Sequence, residues 1–405
     1  PWSVGFALGA VTPPEDIAAE MLPLLLATEG PLRDLVSGWV VKGFLDRGWG
    51  WIEELGGLGT WTARQWAALL ITLPPSVEVW DFAAARGRDV AELYWRETPL
   101  RVVPKGGHVI RAATQLLDVG RPHLTLDLMA LLRDELEPAD RELIYRTLEE
   151  AATTPQDPSK GPRIESHDVA RLLEVIEDDD DADVERVARI EWLYLPLFGH
   201  GERPAKLLHG ELARSPEFFS TVVTWIFKAD SEPPRDLTEE ERVRGRLAYQ
   251  LLDSWRQPPG IDSTGRLDSE ALRTWVLAAR GLLHQADRAD IGDQRIGHIL
   301  RYTAKGDDGR WPAEPVRDLL EELGAEHVEI GMAVEVRNSR GVTSRHPTEG
   351  GKQERELESG FREDAAAFAA RWPRTAALMT RLADSYARDA RREDADADLT
   401  EDTWR

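Results

Sequence analysis

The chain has 405 residues, 42% hydrophobic and 30% charged, enough to bury a large core in two or more packed units. A formal net charge of −23 repels nucleic-acid backbones at long range and argues against a general DNA- or RNA-binding face. The absence of cysteine excludes disulfides, thiolate zinc sites, iron–sulfur clusters and a cysteine nucleophile.

No window approaches the roughly 20 consecutive apolar residues that cross a bilayer. The segment after Pro1 lacks the cationic and apolar regions of a signal peptide. The expectation is a soluble, cytoplasmic piece of a longer polypeptide. Of the 50 cations 43 are Arg and 7 are Lys, a bias that either fork-shaped ion pairs between helices or the base composition of the source genome would produce.

In chain order, residues 1–12 are apolar and contain glycine, without a clear period. Pro13-Pro14-Glu15-Asp16 then reads as a helix start, and helices are expected at 15–28 and 31–47. Trp39, Trp49, Trp51, Trp61, Trp66, Trp80 and Trp95 crowd the first quarter, as a ligand platform or as large fillers between short helices. Gly56-Gly57-Leu58-Gly59 has no strand before it, so it reads as a helix–helix turn rather than a phosphate loop. Val109, Ala112, Ala113, Leu116 and Leu117 mark one apolar helical face, and Leu124, Leu128, Leu131 and Leu132 the next. Gly120-Arg121-Pro122 turns the chain between them, so these two helices lie antiparallel. A third helix spans 138–150.

Prolines 155, 158 and 162 interrupt the pattern. The expected organisation is a Trp-rich helical subdomain over 1–155, a Pro-rich linker over 156–163, a helical-repeat subdomain over 164–387 and a charged, partly frayed tail over 388–405. Beyond the linker, helices are expected at 165–177, 183–197, 204–213, 216–228, 238–256, 267–285, 291–303, 313–323 and 325–335. Ser215-Pro216 and Thr238-Glu239-Glu240-Glu241 supply start signals. Asp178 to Asp181 lack the spacing of a calcium loop and read as a solvated turn. Leu357, Phe361, Ala365 and Phe368 line the next helix, and Pro373 starts the last, with Ala376, Met379, Leu382 and Tyr386 on one face. The fold class is therefore all-α: irregular antiparallel helical repeats of α-solenoid type, TPR- or HEAT-like, with little or no β-sheet and no strict 34-residue period.

Catalytic constellations are missing from the sequence. There is no His-Glu-x-x-His zinc pattern, serine elbow or kinase signature, and no metal or cofactor is expected. Gly350-Gly351-Lys352 resembles the end of a Walker A loop but has His346 in place of its first glycine and Gln353 in place of the Ser or Thr that binds magnesium. His123 and Asp127, four apart on one helix, suit a metal or a base, or an ordinary surface pair. The remaining candidate is the aperiodic stretch 337–354. Arg340, Arg345 and Lys352 bring positive charge, Thr343 and Ser344 hydroxyls, Gln353 an amide, and the helix starting near Gly350 its unpaired N–H groups. Together they suit an anion or a partner's carboxylate; alternatively the cations neutralise neighbouring acidic helices.

The segments 120–128, 338–345 and 350–355 resemble parts of C-terminal helical regions in large bacterial multidomain proteins such as antiviral STAND NTPases. The resemblance covers under a tenth of the chain and implies a recognition role toward a phage protein. The expected function is a non-enzymatic helical scaffold of a larger bacterial protein that binds another protein, which the resemblance implies is a phage component in antiviral defence. The alternative is an anion- or nucleotide-binding receptor or enzyme that uses the 337–354 loop.

Overall fold

The computed structural model describes residues 1–8, 30–57, 60–99, 108–156, 164–177, 181–198, 203–233, 235–262, 264–341, 344, 346 and 349–404, with side chains to Leu399. The helix expected at 15–28, the linker 156–163 apart from Gln156, and the acidic turn apart from Asp181 lie outside the described residues. The chain is 75% helical. Among the described residues it forms twenty α-helices and no strand, with one isolated antiparallel bridge between Ile261 and Leu267. It is an all-α fold of successive helical pairs. It divides into two compact units, residues 1–197 with 201–203, and residues 198–200 with 204–405.

The first unit opens with α1 (Trp2–Leu8) on α2 (Pro31–Arg47). Of the aperiodic opening segment, Trp2–Leu8 is helical, and two glycines let its backbone touch that of α2. A Cβ at Gly5 would lie 1.7 Å from the Leu35 carbonyl oxygen, and one at Gly38 2.1 Å from that of Trp2. Four short helices follow, α3 (Trp49–Gly57), α4 (Ala63–Thr72), α5 (Val77–Ala85) and α6 (Arg88–Glu97). Here the tryptophans act as fillers: Trp51, Trp66, Trp80 and Trp95 are buried. Gly43 makes room for the Trp51 ring and Gly56 for that of Trp66. Trp80 packs on Trp95 with centroids 5.1 Å apart, and Trp49 stacks on Phe82 at 4.7 Å.

The expected hairpin is α7 (Val109–Asp118) and α8 (Pro122–Leu131), turned at Gly120 with φ +74°. The whole predicted apolar face of α7 is buried. On α8 the buried set is Pro122, Thr125, Leu126, Leu128, Met129 and Ala130, while Leu131 is exposed. This differs from the expected Leu124–Leu132 face, because α8 contacts α7, α9 (Arg141–Thr153) and α10 (Ser166–Glu177) and so buries more than one stripe. The unit closes with α11 (Val184–Phe198), whose Arg186 forks onto Glu149 and also meets Glu142 at 2.8 Å.

The second unit contains α12 (Lys206–Arg214), α13 (Pro216–Ile226), α14 (Glu239–Ser254), α15 (Ser269–Gln285), α16 (Ala289–Leu300), α17 (Glu314–Leu323), α18 (Glu326–Asn338), α19 (Lys352–Phe368) and α20 (Pro373–Trp404). The start signals form as the sequence suggests. Ser215 Oγ accepts from Phe218 N–H at 3.0 Å, and Thr238 and Glu241 make a reciprocal capping box. Phe219, Trp255 and Trp275 form the aromatic core. α16 and α18 meet backbone to backbone, since a Cβ at Gly297 would lie 2.1 Å from the Val328 carbonyl oxygen and one at Gly331 2.0 Å from that of Gln294. Gly331→Ala should therefore separate the two helices and lower stability by about 3 kcal/mol in urea denaturation. An unchanged midpoint would show that the helices need not touch.

Candidate functional site

The 337–354 stretch begins in the last turn of α18 and ends in the first turn of α19. Thr343 and Arg345 lie outside the described residues; Arg340, Ser344, Lys352 and Gln353 are described. Arg340 Nη2 sits 2.7 Å from Oε1 of Glu354, a carboxylate only 1% exposed, and the guanidinium lies 5.7 Å from the Tyr386 ring centroid. Gln353 Nε2 donates to the Ser344 carbonyl at 3.1 Å and to Glu349 at 3.2 Å. Lys352 points into solvent.

The N-terminus of α19 has an occupant from within the chain. Asp394 of α20 accepts from Gly351 N–H at 2.8 Å and from Arg355 at 2.6 Å. The backbone N–H first, then Arg355, hold its carboxyl below the usual carboxylate range. The loop positions thus pair with carboxylates of the chain itself, Glu349, Glu354 and Asp394. Beside them Arg337, Arg340, Glu354, Tyr386, Asp389 and Arg392 border a polar hollow of about 250 Å³. Arg337 is itself paired with Asp389 at 2.9 Å. The last helix continues through the charged run after Arg388, where Asp389 and Asp394 hold these contacts to α18 and α19.

A larger hollow of about 520 Å³ was not legible in the sequence. Arg301, Lys305 and Trp311, from the chain between α16 and α17, border it on one side, and Leu357, Gly360 and Phe361 of α19 on the other. Arg301 lies with Cζ 5.1 Å from the Trp311 centroid, and no carboxylate lies within ion-pair distance of Arg301 or Lys305 among the described residues. Arg301 Nε and Trp311 Nε1 are enclosed and lack an acceptor. Phe361 stacks on Tyr386 with centroids 5.7 Å apart and planes within 3°. Asp364, also at the border, is neutralised by Arg310 at 2.5 Å, and Glu356 is exposed at the rim. The glycine inside α19 was the one available signal, since glycine in a helix interior costs about 1 kcal/mol relative to alanine.

A third feature is a surface of rings and guanidinium groups on α13, α14 and α16. Arg244 lies 5.6 Å from the Trp225 centroid, and Arg295 lies 5.0 Å from that of Phe227 and 5.6 Å from that of Tyr249. Tyr249 is 45% exposed, with Leu237 and Val243 also exposed. Trp225, Phe227, Leu237 and Arg244 border a hollow of about 410 Å³.

Other candidates have structural uses. His123 Nε2 donates to the Ala151 carbonyl at 3.1 Å, joining α8 to α9, and burial followed by the Asp168 charge raises the pKa of Asp127. His298, Tyr302 and Glu335 converge, with Tyr302 donating to Glu335 and His298 Nδ1 3.6 Å from it. Burial, then Arg295, lowers the pKa of His298. The hollow they border, of about 10 Å³, has room for a single water rather than a substrate. No group of three side chains suited to a metal occurs among the described residues, and no described helix is long and apolar enough to cross a membrane.

Comparison with protein-family models, curated proteins and solved structures finds no match. The fold defines the class, an all-α helical-repeat protein, in which some ion pairs, such as Arg273–Glu322 and Arg280–Asp293, join one helix to another.

Proposed function

We propose that this chain is a non-enzymatic helical recognition module of a larger bacterial protein, acting in the cytoplasm and binding another protein. The observation that carries the reading is the surface of half-buried Trp225 and Phe227 and exposed Tyr249, with Arg244 and Arg295 over the rings. Tryptophan, tyrosine and arginine dominate binding energy at protein interfaces because they bury large area at small entropic cost and still make polar contacts. Stacked helical pairs supply extended faces of this kind. The resemblance of three short segments to helical regions of antiviral STAND NTPases favours a phage component as the partner. Commitment of Arg340 to Glu354, and of the α19 N-terminus to Asp394, supports recognition over an anion grip at the 337–354 loop.

The test is affinity capture with mass spectrometry from uninfected and phage-infected bacterial lysates, using the wild type and an Arg244→Glu/Tyr249→Ala variant. Both positions are exposed, so the variant should keep its melting temperature and circular dichroism. A protein retained by the wild type and lost by the variant is expected. Turnover of a small molecule with no captured protein would overturn the reading.

A further inference from the structure

The 520 Å³ hollow between the 301–311 segment and α19 has the make-up of a small-ligand site. Such sites are concave, of about 300–1,000 Å³, mainly apolar, and carry a few polar groups that fix orientation. Trp311, Leu357 and Phe361 supply the apolar walls, and the stack on Tyr386 holds the Phe361 ring in place. Two observations give the occupant its character.

The first is charge. In a chain of net charge −23, Arg301 and Lys305 border the hollow with no carboxylate partner among the described residues. Of the two bordering acids, Asp364 is neutralised by Arg310 and Glu356 lies exposed at the rim. A guanidinium resting on an indole is held in plane and presents its remaining N–H groups in the fork that matches a carboxylate. The second is Gly360. It stands inside α19, where glycine weakens a helix, yet a Cβ built there meets nothing within 4 Å. Packing of the protein does not require this glycine. Its effect is to leave the helix wall bare along the hollow, so that another molecule can approach the backbone.

We propose that this hollow binds a small organic anion, a carboxylate on an aromatic or branched apolar body, with Arg301 and Lys305 facing the carboxylate and the body lying over Gly360 between Trp311 and Phe361. This proposal is independent of the protein-recognition surface on α13 and α14.

The experiment uses the full chain with methyl-labelled Leu, Val and Ala, titrated with a panel of aryl and branched-alkyl carboxylates, each beside its neutral carboxamide and its amine. Carboxylates should shift the methyl signals of Leu357, Val336 and Ala304, which border the hollow. They should bind at least tenfold more tightly than the matched amides and amines. Arg301→Gln and the exposed Lys305→Gln should each reduce that preference, the second guarding against a folding defect in the first. Gly360→Ala should act in opposite directions on two readouts, raising the melting temperature of the free protein by about 2–4 °C and weakening carboxylate binding at least tenfold. Equal binding of acids and amides, shifts confined to methyls elsewhere, no binding by any carboxylate at millimolar concentration, or unimpaired binding by Gly360→Ala would each overturn the proposal.

Discussion

Arg317→Leu should lower the stability of the second unit by about 3 kcal/mol, the order of cost of removing a buried guanidinium that makes several charge-assisted hydrogen bonds. Arg317 is fully buried. Its Nη1 and Nη2 fork onto Asp308 at 2.6 and 3.0 Å, its Nε donates to the Pro312 carbonyl at 2.6 Å, and Nη2 also donates to the Arg310 carbonyl at 3.0 Å. The guanidinium lies 4.0 Å from the Phe368 centroid and 4.9 Å from that of Trp372, so one side chain ties the 308–312 turn to α19 and its end. Leucine fills part of the volume but leaves the Pro312 carbonyl without a donor, and leaves the Arg310 carbonyl and Asp308 with only the Gly306 and Arg310 backbone N–H groups. Arg317→Lys should recover only part of the loss, because a single ammonium cannot reproduce the fork. Urea denaturation measures both. A loss under about 1 kcal/mol for leucine would mean that water replaces these contacts freely.

The same pair sets an acid limit. Arg317, above all, holds the Asp308 pKa down to about 2 from 3.8. A depressed carboxyl contributes stability that is present above its unfolded pKa and disappears as pH falls through the folded one, so this contribution is lost between about pH 4 and 2.

The second large effect is also a pH effect, of different origin. His209 of α12 is 4% exposed, and burial pushes its pKa down from 6.5 to about 4. The Ser254 hydroxyl donates to the Gln250 carbonyl at 2.8 Å, so at the 3.1 Å contact with His209 the ring Nε2–H donates to Ser254 Oγ, and with its lowered pKa the imidazole is neutral at neutral pH. The unfolded chain takes up a proton at a pH where the folded one does not. Stability from this group is therefore complete above about pH 6.5 and is lost as pH falls toward 4, by about 3 kcal/mol at 1.4 kcal/mol per pKa unit. His209→Gln keeps a donor and cannot titrate. It should flatten the stability profile between pH 6.5 and 4 while changing stability little at pH 8. An unchanged profile would assign the slope to another group.

Much of the helical architecture was legible because its causes are local. The apolar face of α7, the turn at Gly120 and the caps at Ser215 and Thr238 depend on residues three or four apart. Where the cause was a distant contact, the sequence misled or was silent. The face of α8 could not be read from its leucines, because three neighbouring helices share in burying it. α1 has no readable period, and its Gly5 backbone rests on the Leu35 carbonyl.

The candidate site divides in the same way. Composition and motif content by themselves determined that the chain is an acidic, cysteine-free, helix-forming protein without a recognisable catalytic signature, and that its cations gather near 340–352. The tertiary structure decided where those cations spend their charge. Arg340 meets Glu354 across the loop, and the α19 N-terminus meets Asp394, 43 residues beyond Gly351. It also decided which groups keep theirs available: Arg301 and Lys305 became neighbours of Leu357, Gly360 and Phe361 when α19 packed beside the 301–311 segment. The physical reason is range. Helix propensity and capping act within one or two turns, whereas a charge or a ring acquires its role from whichever residues the packing of distant helices brings within about 4 Å.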